Sequence, residues 1–138
     1  MRLPGHSPLG IAELVKDVIT GKVVCDIGCG QGELLLEFAK YAKEVIGIEE
    51  DETVAQIATD KGLTIHRMNS FFQELPKANV YYLWTKDEVG VFLKAKHDGV
   101  KATFILGHSI RPATVKFLES LNAEVRNIDD FKIYIVNI

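Results

Sequence analysis

The stretch Val23-Val24-Cys25-Asp26-Ile27-Gly28-Cys29-Gly30-Gln31-Gly32-Glu33 decides how the rest of the chain is read. A short, Val-rich apolar run bounded by glycines is a buried strand. An acid stands near its end, glycines follow at alternate positions, and a helical pattern begins at once. Glycines let a backbone pass close to a ligand. A helix starting there offers N–H groups and the positive end of its dipole. In a doubly wound sheet, ligands bind outside the carboxyl ends of the strands. The spacing Gly28-x-Gly30-x-Gly32 departs from the G-x-G-x-x-G pattern tuned to a pyrophosphate, which argues against a nicotinamide-dependent dehydrogenase.

Outward from this segment the chain alternates regularly. Ser7-Pro8 predicts a helix start, Ile11, Leu14, Val15 and Val18 recur at helical spacing, and Gly21 ends the pattern. A strand over 22–27 leads through the glycines into a helix over 31–41, with Leu34, Leu35, Phe38, Ala39 and Ala42 on one face. Val45 to Ile48 reads as a second strand. Asp51 caps a helix carrying Val54, Ile57 and Ala58, closed by Gly62. Further strands are expected over 63–67, 80–84 and 102–106. Thr85-Lys86-Asp87-Glu88 has capping-box spacing for a helix through Val89, Phe92 and Leu93. Pro112 opens a helix with Val115 and Leu118. The last two strands, 124–128 and 132–136, are joined by a turn at Asp129-Asp130 tight enough to make them antiparallel. Five strand–helix units and a terminal hairpin predict an α/β fold, a mostly parallel sheet with helices on both faces.

The 138 residues suit a single domain over 1–138, with an N-terminal loop and helix over 1–21 and a core over 22–138. Hydrophobic residues make up 47% and charged residues 25%, an ordinary globular balance. A net charge of −3 and a pI near 5.8 argue against a broad nucleic-acid-binding face. No long apolar run predicts a membrane span, and Met1-Arg2-Leu3-Pro4-Gly5 has no signal core behind it, so a cytoplasmic protein is expected. Cys25 and Cys29 fall in one short segment and His6, His66, His97 and His108 are scattered, so neither a metal site nor a structural disulfide is predicted.

A second acid, Glu49, directly follows the strand ending at Ile48, where a carboxylate can accept both ribose hydroxyls of a nucleoside. It also precedes Glu50, Asp51 and Glu52, and acids suit a helix start in their own right. Two acids on adjacent strand ends, one beside a glycine loop, make a more specific signal than the glycines alone. Val-Val-Cys-Asp-Ile-Gly-Cys-Gly-Gln-Gly-Glu resembles motif I of the class I S-adenosylmethionine-dependent methyltransferases. Val-Ile-Gly-Ile-Glu resembles their second-strand motif. The resemblance spans nearly the whole chain. It implies a three-layer sandwich with a seven-stranded sheet of order 3-2-1-4-5-7-6, the last strand antiparallel. It implies S-adenosylmethionine as cofactor. Asp26, Gly28, Cys29, Gly30 and Gly32 would lie at the methionine end, with Asp26 suited to the ammonium and loop amides to the carboxylate. Glu49 would hold the ribose. Ser70 stands where many members keep an Asp for the adenine, and equally suits a helix cap. Phe71 follows where a backbone N–H meets the ring.

Methyl transfer from a sulfonium needs alignment and water exclusion more than an acid–base pair, so the catalytic residues stay open. Candidates are Tyr82 and Trp84 on the fourth strand and His108 after the fifth. Trp84 reads either as core or as an aromatic wall beside a cation. Asn79 to Thr85 contains neither an Asn-Pro-Pro-Tyr motif nor a Pro-Cys nucleophile, and Asn79 stands where many members have Asp. The loop Leu3-Pro4-Gly5-His6-Ser7-Pro8 and the apolar run from Val80 to Leu93 resemble the small protein-lysine methyltransferases of archaea and their mitochondrial relatives. In that group a similar loop folds over the cofactor. A lysine acceptor must be neutral although its free pKa is about 10.4, and desolvation against Tyr82 or Trp84 would depress it. No inserted substrate domain is visible, so a protein or small-molecule acceptor is favoured over RNA. The chain could also oligomerise. A module that binds S-adenosylmethionine without transferring methyl is the reading from another class.

Overall fold

The computed structural model describes residues 7–8, 10–69, 73–84, 89–107 and 112–138. Two short helices, α1 (Ile11–Leu14) and α2 (Lys16–Ile19), precede the strand β1 (Val23–Ile27). Helix α3 (Glu33–Phe38), strand β2 (Glu44–Ile48), helix α4 (Glu52–Asp60) and strand β3 (Thr64–His66) follow. Then come β4 (Val80–Trp84), α5 (Val89–His97), β5 (Thr103–Gly107) and α6 (Pro112–Ser120). The hairpin β6 (Glu124–Ile128) and β7 (Phe131–Asn137) closes the sheet. Its seven strands run in the order β3-β2-β1-β4-β5-β7-β6, the order that the family resemblance implies. All neighbours are parallel except β7, which is antiparallel to both β5 and β6.

The period-two alternation of strand side chains divides the interior into two layers. Val24, Val80, Tyr82, Trp84, Ile105, Ile133 and Ile135 pack with α1, α2 and α3 on one face. Cys25, Ile27, Ile46, Ile48, Tyr81, Leu83, Phe104, Leu106 and Val136 pack with α5 and α6 on the other. All five residues of β4 are buried, because that central strand is covered on both sides.

Three expectations change on contact with the packing. The single helix foreseen from Ser7 onward begins at Ile11 and breaks at Val15 (φ −111°, ψ 14°). Ile11, Val15 and Ile19, spaced four apart, stay on one face across the break and are fully buried. Arg126 holds this segment to the edge strand, donating to Asp17 at 2.6 and 2.8 Å and to the Leu14 carbonyl at 2.9 Å. Helix α3 is shorter than predicted, because Gly32 takes a left-handed φ of 86° just before it. Ile57 and Leu93, assigned to apolar faces, are exposed, while α4 buries Ala58 as expected, together with Ala55. Small residues there let α4 sit close to the sheet. The N-cap of α4 is as read: Asp51 accepts the Val54 N–H at 2.9 Å.

At the far end of the β4–β5 pair, Trp84 and Gly107 are register partners. A Cβ built on Gly107 would stand 2.2 and 2.3 Å from Cζ3 and Cε3 of the Trp84 ring. The ring has no room to retreat, because it also packs edge-on against Phe131 at 5.1 Å. Gly107→Ala is therefore an overpacking change and should lower unfolding stability by about 1–3 kcal/mol. Urea titrations followed by circular dichroism should also show Gly107→Ala with Trp84→Leu costing less than the two single changes summed. Simple additivity would mean that the ring does not set this requirement.

Candidate cofactor site

Among the described residues, Asp26 is the charged side chain that the core admits, at 4% exposure. Its register partners are Gly47 on β2 and Tyr82 on β4, so the three share the face that carries α1 to α3. Tyr82 lies edge-on to Phe38, with ring centroids 5.4 Å apart. Its hydroxyl donates to Ser7 Oγ at 2.7 Å, across 75 residues of sequence. This contact draws the chain before α1 onto the face of the sheet that carries Asp26.

The glycine loop is held from β2. The N–H groups of Gly28 and Cys29 both donate to the Ile48 carbonyl, at 2.8 and 2.9 Å. The next N–H, of Gly30, donates to Glu49 Oε1 at 3.0 Å. The other oxygen of Glu49 accepts the Asp51 N–H at 3.0 Å. From the opposite side, Lys61 at the end of α4 donates to the Gln31 carbonyl at 2.8 Å. The loop amides assigned by sequence to a ligand carboxylate thus already have partners within the chain. The acceptor that the last residue of β2 supplies could not be read from residue spacing, because a backbone carbonyl leaves no sequence signal.

The three glycines do different work. Gly28 is exposed and Gly30 half-buried, and a Cβ on Gly30 would meet nothing within 4 Å. Gly32 is buried, and a Cβ there would stand 2.3 Å from Leu63 Cδ1 and 3.4 Å from Ala58 Cβ. It is a packing glycine beneath α4, while Gly28 and Gly30 edge the crevice. Gly47, not singled out from sequence, is equally constrained: its missing Cβ would meet Cys29 Sγ, Ile65 and Leu35 at 2.6 to 2.7 Å. Cys29, expected near the cofactor, is therefore packed over β2. Burial, then the Asp26 and Glu49 carboxylates, push its thiol up to about 12. Burial, then Asp26, also raises Cys25 strongly.

The family described as methionine biosynthesis protein MetW matches residues 9–77. The chain belongs to the MetW family. No curated protein sequence matches it. An RNA methyltransferase from Salinibacter ruber, in complex with S-adenosyl-L-homocysteine, superposes with a TM-score of 0.72 at 15% identity over 96% of this chain and 93% of that one. Magnesium protoporphyrin IX methyltransferase from Synechocystis PCC 6803, with bound S-adenosylmethionine, gives 0.64 at 19% over 91% and 74%. Precorrin 8W decarboxylase of Methanobacterium thermoautotrophicum gives 0.67 at 16% over 99% and 94%. The fold is that of the class I S-adenosylmethionine-dependent methyltransferases.

The stretch matched to MetW carries β1, β2, β3, the glycine loop and Glu49. Of the remaining candidates, Tyr82 and Trp84 are 1% and 5% exposed, so neither presents an open aromatic wall. Asn79 lies at the opposite end of the sheet from the loop, where its Oδ1 accepts the Val23 N–H at 2.9 Å and starts β1. Ser70, Phe71 and His108 lie outside the described residues, as do His6 and the capping box at 85–88. A cavity of about 930 Å³ opens at that same Asn79 end, floored by Val23, Ile46, Tyr81 and Val91. It is remote from the strand carboxyl ends where this class of sheet binds ligands, so it is not taken as the cofactor site. No described helix is long and apolar enough to cross a membrane.

The thiols give a direct check. Because the folded protein keeps Cys29 protonated until about 12, against an ordinary value of 9.0, the unfolded chain releases that proton first as pH rises. Stability should then fall between those two values, since the unfolded state binds fewer protons there. Guanidinium midpoints measured from pH 8 to 11 should drop less steeply for Cys29→Ala than for the wild type. At pH 8 neither thiol should react with a disulfide reagent until the protein unfolds. Rapid labelling of the native protein would contradict this packing.

Proposed function

We propose that this chain binds S-adenosylmethionine in the crevice between the ends of β1 and β2 and transfers its methyl group. The observation that carries the reading is the joining of the two motifs: Glu49 of the second is hydrogen-bonded to Gly30 of the first, with Asp26 buried beside them. The residues present suit the cofactor. Asp26 offers a carboxylate to a cation, and the open space over Gly30 leaves room for a nucleoside. The carboxylate of Glu49 has lone pairs beyond the two in use for ribose hydroxyls. The resemblance adds Ser70 and Phe71 at the adenine.

The cofactor supplies a methyl group already activated by a sulfonium. This chain's task is then to bind, to align and to exclude water. In the displacement, the acceptor's electron pair forms the bond to the methyl carbon. The carbon–sulfur bond breaks with its electrons going to sulfur, and the acceptor proton passes to solvent or a base. The acceptor we favour is a small molecule, in keeping with the family's description as methionine biosynthesis. The protein-lysine reading loses part of its support, because Tyr82 and Trp84, which were to desolvate the amine, are spent on core packing. Binding without transfer is the second reading, favoured by a fourth strand whose five residues are all buried.

Calorimetry should show S-adenosylmethionine and S-adenosylhomocysteine binding to the wild type, with Asp26→Asn weakening the former roughly 10-fold, about 1.4 kcal/mol. Incubating the protein with methyl-labelled cofactor and a fractionated cell extract should place label in the small-molecule fraction. Label in the protein fraction would revive the lysine reading. Binding with no label anywhere would establish the non-catalytic module, and no binding at millimolar ligand would end the proposal.

A further inference from the structure

We propose that Glu49 is a positioning residue as well as a ribose acceptor: its carboxylate sets the glycine loop in its ligand-ready shape before any cofactor arrives. This rests on the reading of the loop as the cofactor site, but its physical basis does not require a ligand. Three successive N–H groups of the loop point back at β2. Those of Gly28 and Cys29 share one backbone carbonyl, that of Ile48, at 2.8 and 2.9 Å. The third, of Gly30, lies beyond reach of the ladder and is taken instead by Glu49 Oε1 at 3.0 Å. A side chain thus extends the strand's grip by one residue, to the point where the loop passes into open space.

Gly30 needs that support. It sits at a left-handed φ of 58°, and a Cβ there would touch nothing within 4 Å. No packing on its Cβ side therefore holds it in place, in contrast to Gly32 against Leu63, and its carbonyl meets the Cys29 thiol at 3.6 Å. The second oxygen of Glu49 is itself fixed by the Asp51 N–H at 3.0 Å. Asp51 in turn caps α4 through the Val54 N–H at 2.9 Å. The chain of contacts runs from the start of α4 through Glu49 to Gly30. The loop's shape is thereby referred to a rigid helix and not to the crevice.

The chemistry requires a carboxylate. Two N–H donors approach its two oxygens, one each, and an ionised carboxylate presents about four acceptor positions. Ribose hydroxyls can add to the two in use without displacing either. A glutamine has one acceptor oxygen, and its NH2 would face one of the two N–H groups donor to donor. An aspartate is one methylene shorter. Glutamine could satisfy a ribose hydroxyl alone, but not the loop and α4 together.

Amide hydrogen exchange on the ligand-free protein tests this first. In Glu49→Ala the Gly30 amide should exchange at least about 10-fold faster than in wild type, while Gly28 and Cys29, held by Ile48, stay within a factor of about two. Those two amides report that the variant is folded. Unchanged exchange at Gly30 would overturn the proposal. Uniformly faster exchange at all three would also overturn it, as Glu49 would then stabilise the fold at large.

The second arm compares S-adenosylhomocysteine with its 2′,3′-dideoxy analogue on wild type and Glu49→Gln. A purely ribose-directed acid would leave the analogue's affinity unchanged by the substitution. A positioning acid should weaken the analogue as well, by at least about 3-fold, because the loop it meets is no longer preset. Failure of the wild type to bind S-adenosylhomocysteine would sink the cofactor reading. The exchange result would still decide whether Glu49 holds the loop.

Discussion

The site depends on two places where the sequence leaves out a side chain so that the glycine loop can be pressed between β2 and α4. Gly47 makes room for Cys29 Sγ above the strand, and Gly32 makes room for Leu63 and Ala58 beside the loop. With those gaps closed by neighbours, the Ile48 carbonyl lies within 2.8 to 2.9 Å of two loop N–H groups. Glu49 reaches a third. A methyl group on Gly47 would collide with the Cys29 sulfur that packs over β2, and one on Gly32 would collide with Leu63 beside the loop. The relation between the two acids is thus a packing relation first. Their chemistry follows from it, which is why one glycine of the motif faces the crevice and another faces the core.

Much of the fold was legible because it is written in periodicity. Apolar runs of four to six residues with helical stretches between them dictate a parallel sheet covered on both faces, and a two-residue turn at Asp129-Asp130 dictates the reversed final pair. The strand order came from the family resemblance, since periodicity carries no information about which strands are neighbours. Helix detail was less legible. The break at Val15 has no Gly or Pro to mark it, and the buried spacing of Ile11, Val15 and Ile19 is that of an unbroken helix. Ile57 and Leu93 fit helical spacing yet are exposed, because spacing gives the arc of a stripe and not which end of it meets the sheet.

The site was legible to the extent that it is built from side chains with fixed places on strand ends. Asp26 and Glu49 could be named from spacing alone, as could the loop between them. The partners of the loop amides could not, because the acceptor for two of them is the backbone of Ile48. Trp84 shows the converse limit. A tryptophan at the ligand-side end of the central strand is equally good sequence for an aromatic wall and for core. Only the register with Gly107, a residue 23 positions away, decides it. Glycine at that register position gives the indole a place to lie flat within the layer.

On the proposed reading, the acceptor is less legible than the cofactor for a reason rooted in the reaction. A sulfonium methyl is activated by its own charge, so the protein need not supply a strong acid or base whose spacing could be recognised. What it supplies is alignment, and alignment is set by the loops that leave the strand ends, where sequence varies without disturbing the sheet. Chains superposing here with TM-scores from 0.64 to 0.72 carry names spanning RNA, a porphyrin and a precorrin, at 15 to 19% identity. One sheet thus supports unrelated acceptors. In this chain, the two ends of the molecule divide accordingly. β1, β2 and the start of α4 form a tightly cross-braced half, in which the Ile48 carbonyl and the Glu49 carboxylate together hold three loop N–H groups. At the ends of β4 and β5, Trp84, Gly107 and Phe131 pack against one another. On the proposed reading, the loops beyond that packing can be rebuilt for one acceptor or another while the brace between Glu49 and the glycine loop stays as it is.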